Sequence, residues 1–223
     1  MTAISQEKRT MTIGFPRESE DKLSRAGFKF LEVVETRDDL VPCLVARYVT
    51  YVQLEDGRWD VVIKHDEPDL GARFNAEWER AAQERGLFST TSDGRREFLL
   101  GLDVSADAPN AEDEPGDEDE EVPPSYRWVR VQLCDAWDVA GVGCATGVFG
   151  AGENNPTFCA ASSSGDVVMT ASYWQVGIGF TGASRPDRIT ALREHAHRIA
   201  SSDHVELVQR QWAERWLSWS QGR

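Results

Sequence analysis

The residues that could do chemistry in this 223-residue chain include four histidines. His195 and His197 form an H-x-H pair, and His204 follows seven residues later. On a β-strand the two rings of the pair would share one face and could bind a metal ion, but on a helix they lie about 160° apart. Because the apolar residues around them have helical spacing, the sequence predicts surface histidines and no metal site.

A cluster of glycines precedes this region, and Gly141, Gly143 and Gly147 match a loose G-x-G-x-x-x-G pattern. In dinucleotide-binding sites such glycines let a pyrophosphate approach the N-terminus of a helix. Here Asn154-Asn155-Pro156 and a β-rich run follow, where the nucleotide site requires an amphipathic helix. The pattern therefore favours a closely packed glycine loop, and no cofactor is predicted.

Cys144, within the same loop, is the residue on which an enzymatic interpretation would depend. The sequence has neither a G-x-S-x-G nucleophile sequence nor a phosphate-binding G-x-x-x-x-G-K-[ST] loop. A catalytic thiol would need a base such as His65 brought to it by the fold. None of the four cysteines forms a C-x-x-C pair, so a buried, inert thiol is the competing interpretation.

Negative charge is concentrated between Asp103 and Glu121, where ten residues are acidic and none is basic. The chain has a net charge of −14, so the remainder carries only −4. We expect residues 105–124, which are rich in proline and poor in apolar side chains, to be a disordered insertion or linker. Its field would attract a basic protein partner and disfavours direct binding to nucleic acid. The candidate partner-binding residues of this segment are Glu112, Asp113, Glu114, Asp117, Glu118, Asp119, Glu120 and Glu121.

A stripe of large apolar residues lies near the end of the sequence. Its members fall within an arc of about 80° on a helix. One interpretation is that the stripe packs on the protein's own sheet, and the other is that it binds in a groove of a partner, where aromatic anchors carry most of the energy. We take the second as the hypothesis, with the candidate binding residues Val205, Val208, Trp212, Trp216 and Trp219.

The elements that must position these residues follow from periodicity and turn signals. Two β-rich runs flank Asp56-Gly57 and predict a hairpin at 44–64. Apolar residues spaced by four and three predict an amphipathic helix at 69–85. The sequence predicts an α+β fold, with a mainly antiparallel sheet, that helix and a C-terminal helical pair. Further predictions are a helix at Ser19–Ala26 capped by Ser19, strands at Phe28–Glu35, Glu97–Val104, Tyr126–Leu133, Thr157–Ala161 and Val167–Phe180, and terminal helices that start near Ser184 and Asp203.

The acidic segment sets the predicted domain organisation. Residues 12–104 form an α+β half, 105–124 the insertion or linker, and 125–223 a β-rich segment followed by two helices. A single domain spanning 12–223 with an acidic loop is the alternative, because closing a long loop costs little entropy.

Together these features predict a non-enzymatic acidic regulatory or interaction protein. It would bind and modulate a larger basic protein that handles nucleic acid, for example a DNA-processing enzyme, as an inhibitor, immunity-type or phage recombination-accessory protein. The alternative is a small enzyme with its site near the Gly141–Gly152 loop. No run approaches 18 apolar residues and no signal peptide is recognised, so the sequence predicts a cytoplasmic location without membrane association.

Overall fold

The computed structural model of the protein describes residues 15–34, 49, 52–53, 57–103 and 126–222. The strands are β1 Phe28–Val33, β2 Arg58–Lys64, β3 Ser89–Thr90, β4 Arg96–Asp103, β5 Tyr126–Leu133, β6 Phe158–Ala161, β7 Val167–Trp174 and β8 Gly177–Ser184. The α-helices are α1 Arg17–Arg25, α2 Leu70–Arg85, α3 Thr190–Ala200 and α4 Leu207–Gln221, with a π-helical turn at Val139–Gly143 and a 3-10 turn at Pro186–Arg188.

The strands form an eight-stranded antiparallel sheet with the order β1-β5-β4-β6-β7-β8-β2, and β3 pairs with β4. This sheet, the helix α2 and the terminal pair α3 and α4 confirm the predicted α+β fold. No helix among the described residues is long and apolar enough to cross a membrane.

Side chains alternate between the two faces of the sheet, and each face has its own apolar cluster. On β4, for example, Phe98 and Leu100 belong to the first-face cluster, whereas Leu99 belongs to the second-face cluster. The helices α1 and α2 and the π-helical turn cover the first face. The terminal helices α3 and α4 cover the second face.

Local sequence explains how α2 is placed. Leu70, Phe74, Trp78 and Ala81 lie on one side of it, and the last three are buried against the sheet. Gly86 ends the helix with a φ of 78°, a left-handed conformation that favours glycine. The predicted amphipathic helix at 69–85 is therefore confirmed, and it begins at Leu70.

Several predicted boundaries are wrong. Ser184 lies in β8 and does not cap a helix, because Arg185 turns the chain at a φ of 54° and its guanidinium binds Asp187, with a shortest nitrogen–oxygen distance of 2.6 Å. The 3-10 turn follows, so α3 begins only at Thr190. Pro16, and not Ser19, is the residue at the N-cap of α1.

Two other predicted elements also differ from the structure. The run 167–180 is divided between β7 and β8, which pair with each other through a turn at 175–176. The helix α4 begins at Leu207, four residues after Asp203, and the side chain of Glu206 at its N-cap makes no capping hydrogen bond. The first arm of the hairpin at 44–64 lies largely outside the described residues, whereas its second arm is β2.

The acidic segment connects two neighbouring strands. Asp103 at the end of β4 is paired with Tyr126 at the start of β5, and the two strands stay in register as far as Arg96 and Leu133. Strands from both sides of the segment therefore belong to the same sheet. The segment itself, including all eight of its candidate binding residues, lies outside the described residues.

Candidate functional site

The terminal stripe occupies two different environments. Trp216 is completely buried in the second-face cluster, together with Ala196 of α3 and Val168 of β7. Trp219 packs against the same cluster but is only partly buried, and Trp212 is also partly accessible. Trp216 therefore serves as an internal packing residue in this fold, while its two neighbours keep surface that a partner could reach.

The start of the terminal helix contributes less to this stripe. Val205 precedes α4 and is partly buried, whereas Leu207, the first residue of the helix, is 62% exposed. The side chain of Val208 lies outside the described residues. Sequence periodicity placed these positions on one arc, but the turn at 201–206 removes Val205 from the helix.

A groove lies beside the point where the acidic segment leaves the sheet. It has a volume of about 720 Å³, within the range of about 300–1,000 Å³ found for ligand sites. Gly101 and Leu102 of β4 form one wall, and Asp103 follows them directly. The remaining lining residues are Pro16, Glu18, Ser19 and Lys22 of the α1 region, together with Gly147, Val148, Gly150, Ala151 and Thr157.

The groove is partly polar and its charges are balanced locally. The Glu18 carboxylate accepts the Lys22 ammonium at 2.8 Å across one turn of α1. Both side chains are accessible to solvent, so this ion pair adds little stability. Open space lies beside Gly147, where a side-chain carbon would meet no atom within 4 Å, whereas the same space at Gly150 is filled by the backbone of Asn155 and Pro156.

The glycine-rich loop is held by a hydrogen-bonded cap. The Asp138 carboxylate accepts the backbone N–H groups of Gly141 and Val142 at 2.8 and 2.9 Å, and the Asn75 side-chain amide at 2.8 Å. The Asn75 carbonyl in turn accepts the N–H groups of Val139 and Ala140. A side-chain carbon added at Gly141 would clash with the Asp138 carboxylate, which explains the glycine there.

The charge state of Asp138 follows from this cap. Burial by itself would raise the pKa of Asp138. The hydrogen bonds from Val142, Asn75 and Gly141 outweigh that effect and hold the pKa below its usual value. The carboxylate is therefore ionised at neutral pH and binds backbone donors of the loop.

Cys144 lies directly behind this cap and is fully buried. Burial raises the pKa of Cys144 to about 12, so the residue is a neutral thiol at physiological pH. Its Sγ donates to the Phe149 carbonyl at 3.6 Å. His65, its conjectured base, bonds through Nε2 with the Trp174 carbonyl oxygen and lies beside Tyr173. The structure does not bring this cysteine and histidine together.

The H-x-H pair lies on a helix, as the sequence predicts. His195 and His197 belong to α3, and His197 is exposed. Burial, with a smaller effect from the charge of Arg198, lowers the pKa of His195. No group of three or more metal-ligating side chains occurs within residues 15–34, 57–103 and 126–222 or at the described positions between them.

The groove and the Asn75–Asp138 cap are the features that sequence reasoning missed. Asn75 and Asp138 are 63 residues apart, and no periodic pattern links them. The short acidic–glycine spacing Asp138-x-x-Gly141 is the one local signal that could have indicated the cap.

Comparison of the chain with protein-family models, with curated proteins and with solved structures found no match.

Proposed function

We propose that the protein is a non-enzymatic, acidic interaction protein that binds a larger basic protein engaged with nucleic acid and modulates its activity. The observation that carries this proposal is the placement of ten carboxylates between Asp103 and Glu121. Asp103 and Tyr126, which flank residues 104–125, are paired with each other in the sheet. The chain between them is therefore attached at both ends, and its length limits its reach to at most roughly 40 Å from this pair of residues.

Charge density helps to choose between steering and imitation of a phosphate backbone. A fully extended segment would carry one charge per roughly 6 Å of chain. One strand of duplex DNA carries one charge per about 3.4 Å. The extended segment is thus about half as densely charged as one DNA strand and about a quarter as densely charged as the duplex, so attraction of a basic surface is better supported than a faithful imitation of the duplex.

The terminal helix is the proposed anchor for the attracted partner. Trp128, which lies two residues after Tyr126, packs in the same cluster as Trp216. This shared cluster links the base of the acidic segment to α4. Because Trp216 is buried, the anchoring role falls to the accessible parts of Trp212 and Trp219, and aromatic side chains of this kind often dominate binding energy.

The test compares the full chain with a variant in which all ten acidic residues of the segment become Asn or Gln. Association with poly-lysine of 30 residues, and then with basic proteins captured from the source cells, is followed at two ionic strengths. Between about 0.01 M and 0.15 M salt the Debye length falls from about 30 Å to about 8 Å. We expect the association rate of the unmodified chain to fall by at least ~10-fold, and that of the variant to change little.

A second variant lacks Asp103–Glu121 entirely. It removes both the charge and the length of the segment, whereas the neutralised variant removes the charge alone. The nucleic-acid-related activity of the captured protein, measured with and without the chain, reports modulation. Equal, salt-insensitive association of the unmodified and neutralised chains would show that the segment does not steer. Binding without any effect on the partner's activity would contradict the regulatory part of the proposal.

A further inference from the structure

The two terminal strands of the sheet, β1 and β2, have different edges. In β1 the pairing with β5 shifts register between Phe30 and Glu32, so this edge contains a bulge. Bulges are one of the devices that prevent an edge strand from pairing with another chain. All seven residues of β2 pair with β8 without a shift. Within the described part of the chain, β2 has a strand neighbour on one side only, so its regular backbone offers hydrogen-bonding groups along the other side.

The side chains of β2 on the second face are accessible beside this open edge. Val61 and Ile63 pack in or against the first-face cluster. The alternation of a strand therefore places Asp60, Val62 and Lys64 on the second face. Val62 is 50% exposed, Lys64 is exposed, and the Asp60 side chain is 26% accessible. An acidic, an apolar and a basic side chain thus follow one another along the same side of the strand.

This order of side chains is complementary to itself. When two copies of β2 run antiparallel with their Val62 residues opposite each other, Asp60 of each copy lies opposite Lys64 of the other. Opposed residues of an antiparallel pair share a face, and these three residues all lie on the second face, as a two-fold axis through Val62 requires. Asp60 also accepts the Arg58 guanidinium of its own chain at 2.7 and 2.8 Å, but a carboxylate has about four acceptor sites.

We propose that the open edge of β2 is an interface at which a second copy of this chain adds its own β2, with Val62 on the two-fold axis. The two eight-stranded sheets would join into one continuous antiparallel sheet. Charge complementarity selects a second copy, because each Asp60 meets a Lys64 and a symmetric contact must be complementary to itself. On the first face, the same register brings Val61 of one copy beside Ile63 of the other and adds apolar contact. This inference does not depend on the proposed function.

The paired stretch is short and avoids the start of β2. Val52 approaches that end, where its carbonyl accepts Arg58 at 3.0 Å. The stretch Asp60–Lys64 is roughly 17 Å long, at about 3.4 Å per residue. A contact of this size lies at the low end for specific interfaces, so we expect a dimer that depends on protein concentration. The net charge of −14 on each copy opposes association, and salt at about 0.15 M screens this repulsion beyond about 8 Å.

Sedimentation equilibrium of the full-length chain measures the dimer, at about 0.15 M salt and over a concentration series that reaches about 1 mM. In Val62→Lys two lysines meet on the axis, so we expect the dissociation constant to rise at least ~10-fold. Val142→Lys is the matched control, because it adds the same charge at a valine that is 39% exposed on the π-helical turn, outside β2. This control should dimerise like the unmodified chain, and thermal unfolding checks that both variants are folded.

A cysteine on the axis tests the register and needs no change of charge. In Val62→Cys the two thiols would face each other with Cα atoms about 4.5–5.5 Å apart, so mild oxidation should give a disulfide-linked dimer. Val142→Cys and the unmodified chain, with its own cysteines, are the controls and should stay largely uncross-linked in electrophoresis without reductant. Lys64→Glu places a carboxylate opposite Asp60 and should weaken the dimer about 2- to 5-fold.

Three results would overturn the inference. The first is a monomer throughout the concentration series. The second is a dimer that is unaffected by Val62→Lys and gives no cross-link at position 62, since its interface would lie elsewhere. The third is a monomer whose binding to a captured basic protein is lost in Val62→Lys but kept in Val142→Lys, which would assign the edge to that partner. The variant with a neutralised acidic segment should dimerise at least as tightly as the unmodified chain, so failure of the proposed function leaves this result unchanged.

Discussion

One helix with aromatic residues four positions apart packs on each face of the sheet, α2 on the first and α4 on the second. The buried tryptophans of these two helices have different neighbours. On the first face, Trp78 of α2 lies among other aromatic rings, with centroid distances of 5.4 Å to Trp137 and 5.8 Å to Phe98. On the second face, Trp216 of α4 is equally buried but packs with small and aliphatic residues such as Ala161 and Ala196. The first-face cluster is rich in packed aromatic rings, whereas the second-face cluster combines two buried tryptophans, Trp128 and Trp216, with small and aliphatic residues.

This difference indicates how each helix is held. Aromatic edge-to-face pairs add about 0.5–1.5 kcal/mol beyond the area they bury, and Trp78 has several such partners. Trp216 is held by its complete burial among the side chains of the second-face cluster. The terminal helices α3 and α4 follow the last strand in the chain. Detachment of these two helices would therefore leave the chain order of the strands intact.

The largest effect is expected from Trp78→Ala. Removing this buried ring leaves a cavity and deletes the aromatic contacts, at a cost of about 3–5 kcal/mol in the free energy of unfolding. Equilibrium denaturation in urea measures it, and Trp78→Phe should cost less because a ring remains. A loss below ~1 kcal/mol for the alanine variant would show that the first-face core does not depend on this residue.

The second effect concerns Trp216→Ala. We expect a loss of about 3 kcal/mol, the lower part of the range for a buried tryptophan, because several side chains of its cluster are alanines and each contributes few atoms to the packing. Trp212→Ala is the control on the same helix and should cost about 1 kcal/mol, since Trp212 is partly accessible. Equal losses of stability for the two variants would contradict the assignment of Trp216 as a core residue and Trp212 as a partly accessible one.

A smaller loss of stability is expected from Asn75→Ala on α2, the helix that covers the first face. The substitution leaves the N–H groups of Val139 and Ala140 without their acceptor, at a cost of about 1–3 kcal/mol. Gln83→Ala, at an exposed position of the same helix, should change stability by less than about 0.5 kcal/mol. Similar values for the two variants would mean that solvent satisfies the loop donors and that the cap is dispensable.

The smallest effect is the pH dependence contributed by Asp138. Its pKa is lower in the folded protein than the usual value of 3.8. The ionised carboxylate therefore stabilises the fold fully above that usual value, and its contribution is lost as the pH falls through the folded-state pKa. Unfolding free energies of the native chain and of Asp138→Asn, compared between pH 6 and pH 2.5, should converge at low pH. A constant difference across this range would show that ionisation of Asp138 does not couple to folding.

Local patterns predicted most of the elements of the fold. The alternation over 126–133 gave β5, and the spacing of Phe74, Trp78 and Ala81 gave α2, because strand and helix periods are properties of neighbouring residues. The groove could not be predicted in this way. It depends on where β4 and β6 part, and this divergence is set by loop contacts such as that between Thr157 and Phe149.

The sequence by itself determined the α+β class, the concentration of charge in one segment and the aromatic stripe of the last helix. Each of these follows from composition or from periodicity along one element. Only the tertiary structure decided that Trp216 is buried, that Cys144 is a buried neutral thiol and that the acidic segment joins two paired strands. The physical reason is that burial and partnership are set by residues distant in the chain, and a helical period is the same whether its apolar side meets the protein's own sheet or another molecule.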